Sequence, residues 1–194
     1  MLFLFCAILS AQRSEEVRAP EVAGMFYPDN PSELSSMIHQ YLSKAEVLVE
    51  GEIGGLVSPH AGYVYSGPVA AWSYKQVKGK SYEVVVVIAP SHFEYFAGAS
   101  VYPGKFYETP FGKIPVDQDL AEKLTQVAPN IHLSESGHSP GFSGRGEHSL
   151  EVQLPFLQKT IGEFKLIPIV MADQSWKNVE NLGNALAEVL KGKR

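Results

Sequence analysis

Two histidines share one local setting. His60 closes Ser58-Pro59-His60 after the apolar run Ile53–Ser58, and His92 closes Ala89-Pro90-Ser91-His92 after the run Val84–Ala89. In open α/β sheets, ligands bind beyond the carboxyl ends of the strands. A proline there ends the ladder because it has no N–H to donate. Two imidazoles delivered in this way can share one metal ion, and imidazole suits Zn, Cu, Fe or Ni. A complete site needs further donors. The plainer alternative is two unrelated histidines, each satisfied by backbone groups.

A third cluster is Glu147-His148-Ser149, where the Gly/Ser-rich stretch Ser134–Gly146 gives way to a helical pattern. A helix N-terminus keeps a nearby histidine neutral, which makes His148 a candidate general base or substrate contact. Glu147 would orient it or take its proton. The competing reading is a capping arrangement, with Ser149 as cap and Glu151 and Gln153 in the first turn. Tyr63 and Tyr65 lie between Gly62 and Gly67 and offer hydroxyls to an anion, unless they only pack on the domain. Asp173 follows an apolar strand and is a weaker candidate ligand or a turn cap. His39 reads as a helix-surface residue, and His132 and His138 as solvated loop residues.

The elements that must carry these groups alternate. Helices are expected over 32–43, with Ser32 as cap, from Ser66 through Val77, over 118–127 behind Asp117, over 149–161 with Pro155 kinking or restricting its start, and over 179–190. Strands are expected at 53–58, 84–89 and 166–171, the last two buried on both faces. Thr109-Pro110-Phe111-Gly112 reads as a turn between two short strands. This order predicts a three-layer α/β/α domain with a mostly parallel central sheet.

Composition narrows the function. The 194 residues are 45% apolar and 19% charged, enough for a packed core. A net charge of −5 argues against sequence-independent nucleic-acid binding, which needs a basic face. The single cysteine, Cys6, excludes an internal disulfide framework and any zinc site built from this chain's cysteines alone. Residues 1–16 form an apolar leader, too short to span a bilayer, so no transmembrane span is expected. The leader resembles a signal-peptide core but has no preceding Lys or Arg, which leaves an exported protein and a cytoplasmic one with a non-functional extension both open.

At these residues the chain resembles the Memo family, whose bacterial and archaeal members are called AmmeMemoRadiSam system protein B. The resemblance runs from Arg18-Ala19-Pro20-Glu21-Val22-Ala23-Gly24-Met25-Phe26-Tyr27-Pro28 through Pro59-His60-Ala61-Gly62-Tyr63. It continues at Pro90-Ser91-His92, Thr109-Pro110-Phe111-Gly112 and Glu147-His148-Ser149-Leu150-Glu151. It implies a Memo-like domain over 17–194 with a fold like the class III extradiol dioxygenases. It also implies an iron or copper ion on His60 and His92, and a pocket role for His148 that is catalytic rather than ligating. A redox activity of the metal-dependent oxidoreductase kind, and association with radical-SAM and AMMECR1-like proteins, are implied by the same likeness. Family chains are longer and take a cysteine ligand from beyond Arg194, so this chain is expected to be a fragment lacking a strand and part of the site. Two other functions compete: a non-catalytic module binding anionic peptides, and a metal-dependent extradiol dioxygenase. The latter is disfavoured because no carboxylate ligand is evident.

Overall fold

The computed structural model describes residues 17–140 and 144–193, so the leader, Cys6 among it, lies outside the described residues. The described residues form a mixed α/β fold with five α-helices and two sheets. The first sheet joins β1 (Val17–Arg18), β4 (Phe106–Thr109) and β5 (Gly112–Pro115). The second runs in the order β2 (Val84–Pro90), β7 (Lys165–Met171), β3 (Ala99–Val101), β6 (Ile131–Leu133). Its β2–β7 and β3–β6 pairings are parallel and its β3–β7 pairing antiparallel. Two of the three pairings in this four-stranded sheet are thus parallel, with one antiparallel excursion, and the three-stranded sheet is mixed as well.

β7 organises the core. Ile167, Ile169 and Met171 pack with α3 (Gln118–Val127) and α5 (Trp176–Val189), while Leu166 and Val170 pack with α1 (Pro31–Lys44), α2 (Tyr63–Lys75) and α4 (Leu154–Thr160). The alternation follows from the two-residue period of a strand. β2 was expected to be buried on both faces, yet Ile88 is 49% exposed. Among the described residues its one ladder partner is β7, so it stands at one edge of the sheet they form.

Several boundaries move for identifiable reasons. Asn30, not Ser32, caps α1: its side chain accepts from the N–H groups of Ser32 (2.9 Å) and Glu33 (3.1 Å), and Pro31 takes the first helical position, where a missing N–H costs nothing. α2 begins three residues before Ser66 because tertiary contacts seize Tyr63. Its N–H donates to Phe26 O at 2.7 Å and its hydroxyl to Val152 O at 2.7 Å. Pro68 then falls inside the helix.

The segment 53–58 is not a strand. Its carbonyls take side-chain donors instead, Tyr82 Oη on Ile53 O and Ser73 Oγ on Val57 O. The helix expected over 149–161 splits into a 3₁₀ turn, Glu151–Gln153, and α4. Pro155 has no N–H to continue an α ladder back across that turn. α5 begins at Trp176, earlier than the expected 179, behind Ser175. The turn at Pro110-Phe111 and the Asp117 cap of α3, whose Oδ1 accepts Leu120 N–H at 3.1 Å, stand as expected. No helix among the described residues is long and apolar enough to cross a membrane.

Phe156 is fully buried, stacked on Tyr74 with 5.0 Å between centroids and tilted against Tyr63 at the same separation. Phe156→Ala is expected to cost about 3–5 kcal/mol, because neighbours relax only partly into the cavity. Urea unfolding measures this; a loss below about 1 kcal/mol would show that α4 is not packed as described.

Candidate metal centre

β2 delivers His92. The strand ends at Pro90, and Ser91 N–H donates to Met171 O (2.9 Å), which fixes the first residue beyond the ladder. Ser149 Oγ donates to Pro90 O (2.7 Å), so the strand end is tied directly to the segment bearing His148. His60 arrives on the coil before α2, where Gln153 Nε2 donates to Pro59 O at 3.2 Å and Gln153 Oε1 accepts from Tyr74 Oη at 2.6 Å. Three distant segments are thus bound to one another at the point where their histidines meet.

The three rings form one cluster. Centroids are 4.4 Å apart for His92–His148, 5.2 Å for His60–His92 and 6.0 Å for His60–His148. One ring nitrogen of each lies within 4.8 Å of the other two. His60 and His148 are partly buried and His92 is exposed, so the cluster is open on one side. Phe26 packs on His148 at 4.6 Å. A cleft of about 660 Å³ runs between the 52–58 segment and β2 and reaches the cluster at His60.

Burial favours the neutral form of His60 and His148. His60 titrates below the ordinary histidine value through burial and then the neighbouring His92. His148 is lowered by burial, with Glu147 pulling the other way and His92 and His60 adding to the depression. A neutral imidazole has the free lone pair that a metal needs. Burial alone would raise the Glu147 carboxyl. Hydrogen bonds from Ser149 N–H, His92 N–H and the His92 ring outweigh it and hold Glu147 below its ordinary value.

Other sequence candidates fall away. The Tyr63 hydroxyl is spent on Val152 O, and Tyr65 is 81% exposed with its hydroxyl uncommitted to the cluster. Asp173 Oδ1 accepts Ser175 N–H at 3.0 Å and is not among the clustered donors. Ser149 is held by Pro90 and does not cap a helix. His39 and His132 are exposed.

His138 is not solvated but fully buried. Its Nε2 faces Ser100 O at 3.1 Å and its Nδ1 faces Tyr107 Oη at 2.5 Å. A carbonyl only accepts, so Nε2 carries the proton and the Tyr107 hydroxyl donates to Nδ1.

The residues that sequence reading missed lie behind the cluster. Arg18, buried on β1, donates from Nε to His138 O (2.7 Å) and from Nη2 to Glu147 O (2.7 Å), and pairs through Nη1 with Glu151 Oε2. Glu151, fully buried, also accepts from Tyr27 Oη (2.5 Å), Val22 N–H (3.0 Å) and Glu21 N–H (2.9 Å). Gly146 lets this bundle close, since a Cβ there would come within 2.1 Å of Glu21 Cβ. An Arg and a Glu 133 positions apart share no local pattern that would have paired them.

The family model for Memo-like protein matches residues 18–194. The chain belongs to the Memo family. Among its relatives, a MEMO1 family protein of Nitrosopumilus maritimus is 38% identical over 183 residues, covering 91% of this chain and 64% of that protein. One from Thermotoga maritima is 41% identical over 187 residues (89% and 64%), and one from Methanocaldococcus jannaschii 38% over 191 (91% and 64%). This Memo-family chain spans just under two thirds of the length of those relatives.

Two measurements test the support behind the cluster. Arg18→Met strands the Glu151 carboxylate without its cation and is expected to destabilise by about 3–5 kcal/mol in urea unfolding; a loss under 1 kcal/mol would contradict the ion pair. Burial drives the His138 pKa down to about 3. Below pH 6.5 the unfolded chain therefore binds a proton that the fold refuses, and stability falls by about 1.4 kcal/mol per pH unit until about pH 3. Ring ¹⁵N shifts at pH 5 should show His138 still neutral; imidazolium shifts there would refute the assignment.

Proposed function

We propose that this Memo-like chain holds a transition-metal ion, iron or copper, on His60, His92 and His148, and that the full-length protein uses it in redox chemistry. The observation that carries the reading is the convergence of three ring nitrogens within 4.8 Å on one partly open site. Three imidazole donors suit a borderline divalent ion. Sequence reading gave His148 an acid–base or substrate-contact role, and the clustering supports ligation by it instead. When bound, such an ion supplies one-electron chemistry and polarises an oxygen ligand. The residues themselves do the positioning. Ser149 and Gln153 hold the segments together, Phe26 covers one face of His148, and the exposed side at His92 leaves room for an incoming group.

Further aspects rest on the family likeness alone. These are a three-layer domain of the class III extradiol dioxygenase type over 17–194, and work alongside radical-SAM and AMMECR1-like partners in the AmmeMemoRadiSam system.

Elemental analysis and copper(II) or anaerobic iron(II) titration test the site. Wild type is expected to bind one ion per chain, and His60→Ala, His92→Ala and His148→Ala each to lose at least tenfold in affinity with unfolding midpoints little changed. Full retention by His148→Ala alone would return that residue to an acid–base role. Full retention by His60→Ala or His92→Ala would end the metal reading.

A further inference from the structure

Glu147 touches more of the cluster than any other side chain behind it. Its Oε1 lies 2.9 Å from His92 Nδ1 and 3.4 Å from His148 Nδ1. The same oxygen accepts the backbone N–H groups of His148 (2.9 Å) and Ser149 (3.0 Å). Its Oε2 accepts His92 N–H at 2.6 Å. The residue is 3% exposed, and its own carbonyl is clamped by Arg18. One carboxylate thus reaches two rings that lie 56 positions apart in the chain.

We propose that Glu147 is a positioning residue that sets which nitrogen each of two histidines offers to a metal. This rests on the metal reading above. An ionised carboxylate can only accept hydrogen bonds. A ring nitrogen bonded to it must therefore carry the proton, so His92 is held as the Nδ1–H tautomer with the Nε2 lone pair left over for an ion. The His148 Nδ1 sits farther off and is steered toward the same choice. The backbone donors do not compete for this role; they fix the carboxylate so that it cannot swing away from the rings. Outer partners of this kind orient a ligand and make its free nitrogen more basic. His138 supplies an internal contrast, because its Nε2 faces a carbonyl and its Nδ1 a hydroxyl, and it takes the opposite tautomer.

The test has a metal-free arm and a metal arm. Long-range ¹H–¹⁵N correlation of the metal-free protein reads the His92 tautomer, expected to be Nδ1–H in wild type and Nε2–H in Glu147→Ala. Copper(II) titration is expected to show a 10–100-fold loss of affinity in Glu147→Ala. Glu147→Gln, which keeps an oxygen facing the rings, should recover the Nδ1–H form and part of the affinity. An Nε2–H tautomer at His92 in wild type overturns the proposal, as does a folded Glu147→Ala that keeps the wild-type tautomer and affinity. Should Glu147→Ala not fold, the wild-type tautomer and the Glu147→Gln titration decide. A wild type that takes up no copper(II) or iron(II) sinks the metal reading, while the tautomer measurement still judges what Glu147 does to the rings.

Discussion

The buried pair between Arg18 and Glu151 is the interaction on which the rest depends. Burying two charges is expensive unless both are saturated with hydrogen bonds. Here both are. The guanidinium serves three backbone carbonyls, those of Ala19, His138 and Glu147, besides the carboxylate, and the carboxylate collects a tyrosine hydroxyl and two backbone N–H groups. The result is a polar knot joining the start of the described fold, the loop at His138 and the turn that leads into α4. The first contributes only the two-residue strand β1, and the other two belong to no sheet. The knot supplements scant secondary structure just where the chain must bring chemistry to one place.

From that knot outward, rigidity passes to the histidines by short steps. Arg18 fixes the Glu147 carbonyl, the Glu147 carboxylate meets the ring and backbone of His92, and Ser149 ties the end of β2. On the far side Gln153 bridges Tyr74 and the carbonyl before His60. The Glu147-to-Gln153 stretch therefore acts as a spine. One side chain after another reaches from it to a different segment, which is why a 3₁₀ turn and a proline-led helix serve here in place of one smooth helix.

Sequence pattern revealed the parts whose causes are local. Asp117 as a cap, the hairpin at Pro110-Phe111 and the β2 and β7 runs follow from side-chain type and spacing within a few residues. His60 and His92 stood out because a proline follows each apolar run. The failures have physical causes too. Segment 53–58 has the composition of a strand, but its carbonyls found side-chain donors, and a strand is defined by its neighbour. Tyr63 pulled the start of α2 forward through contacts with Phe26 and Val152, both remote in sequence. His138 sits in a polar, glycine-rich stretch that reads as solvated, and only the fold reveals Tyr107 and Ser100 around it. Charged residues give no periodic sign of burial, so Arg18 and Glu151 were invisible as a pair.

The separation of that pair also has a temporal side. Arg18 and Glu151 stand 133 positions apart. At the usual 5–20 residues per second of synthesis, the arginine leaves the ribosome roughly 7–27 s before its partner. Throughout that interval the N-terminal segment has no counter-charge and no reason to settle. The histidines at 60 and 92 are likewise made before the spine that aligns them. The centre therefore cannot close on a growing chain until the 147–153 stretch has emerged, long after its first two histidines.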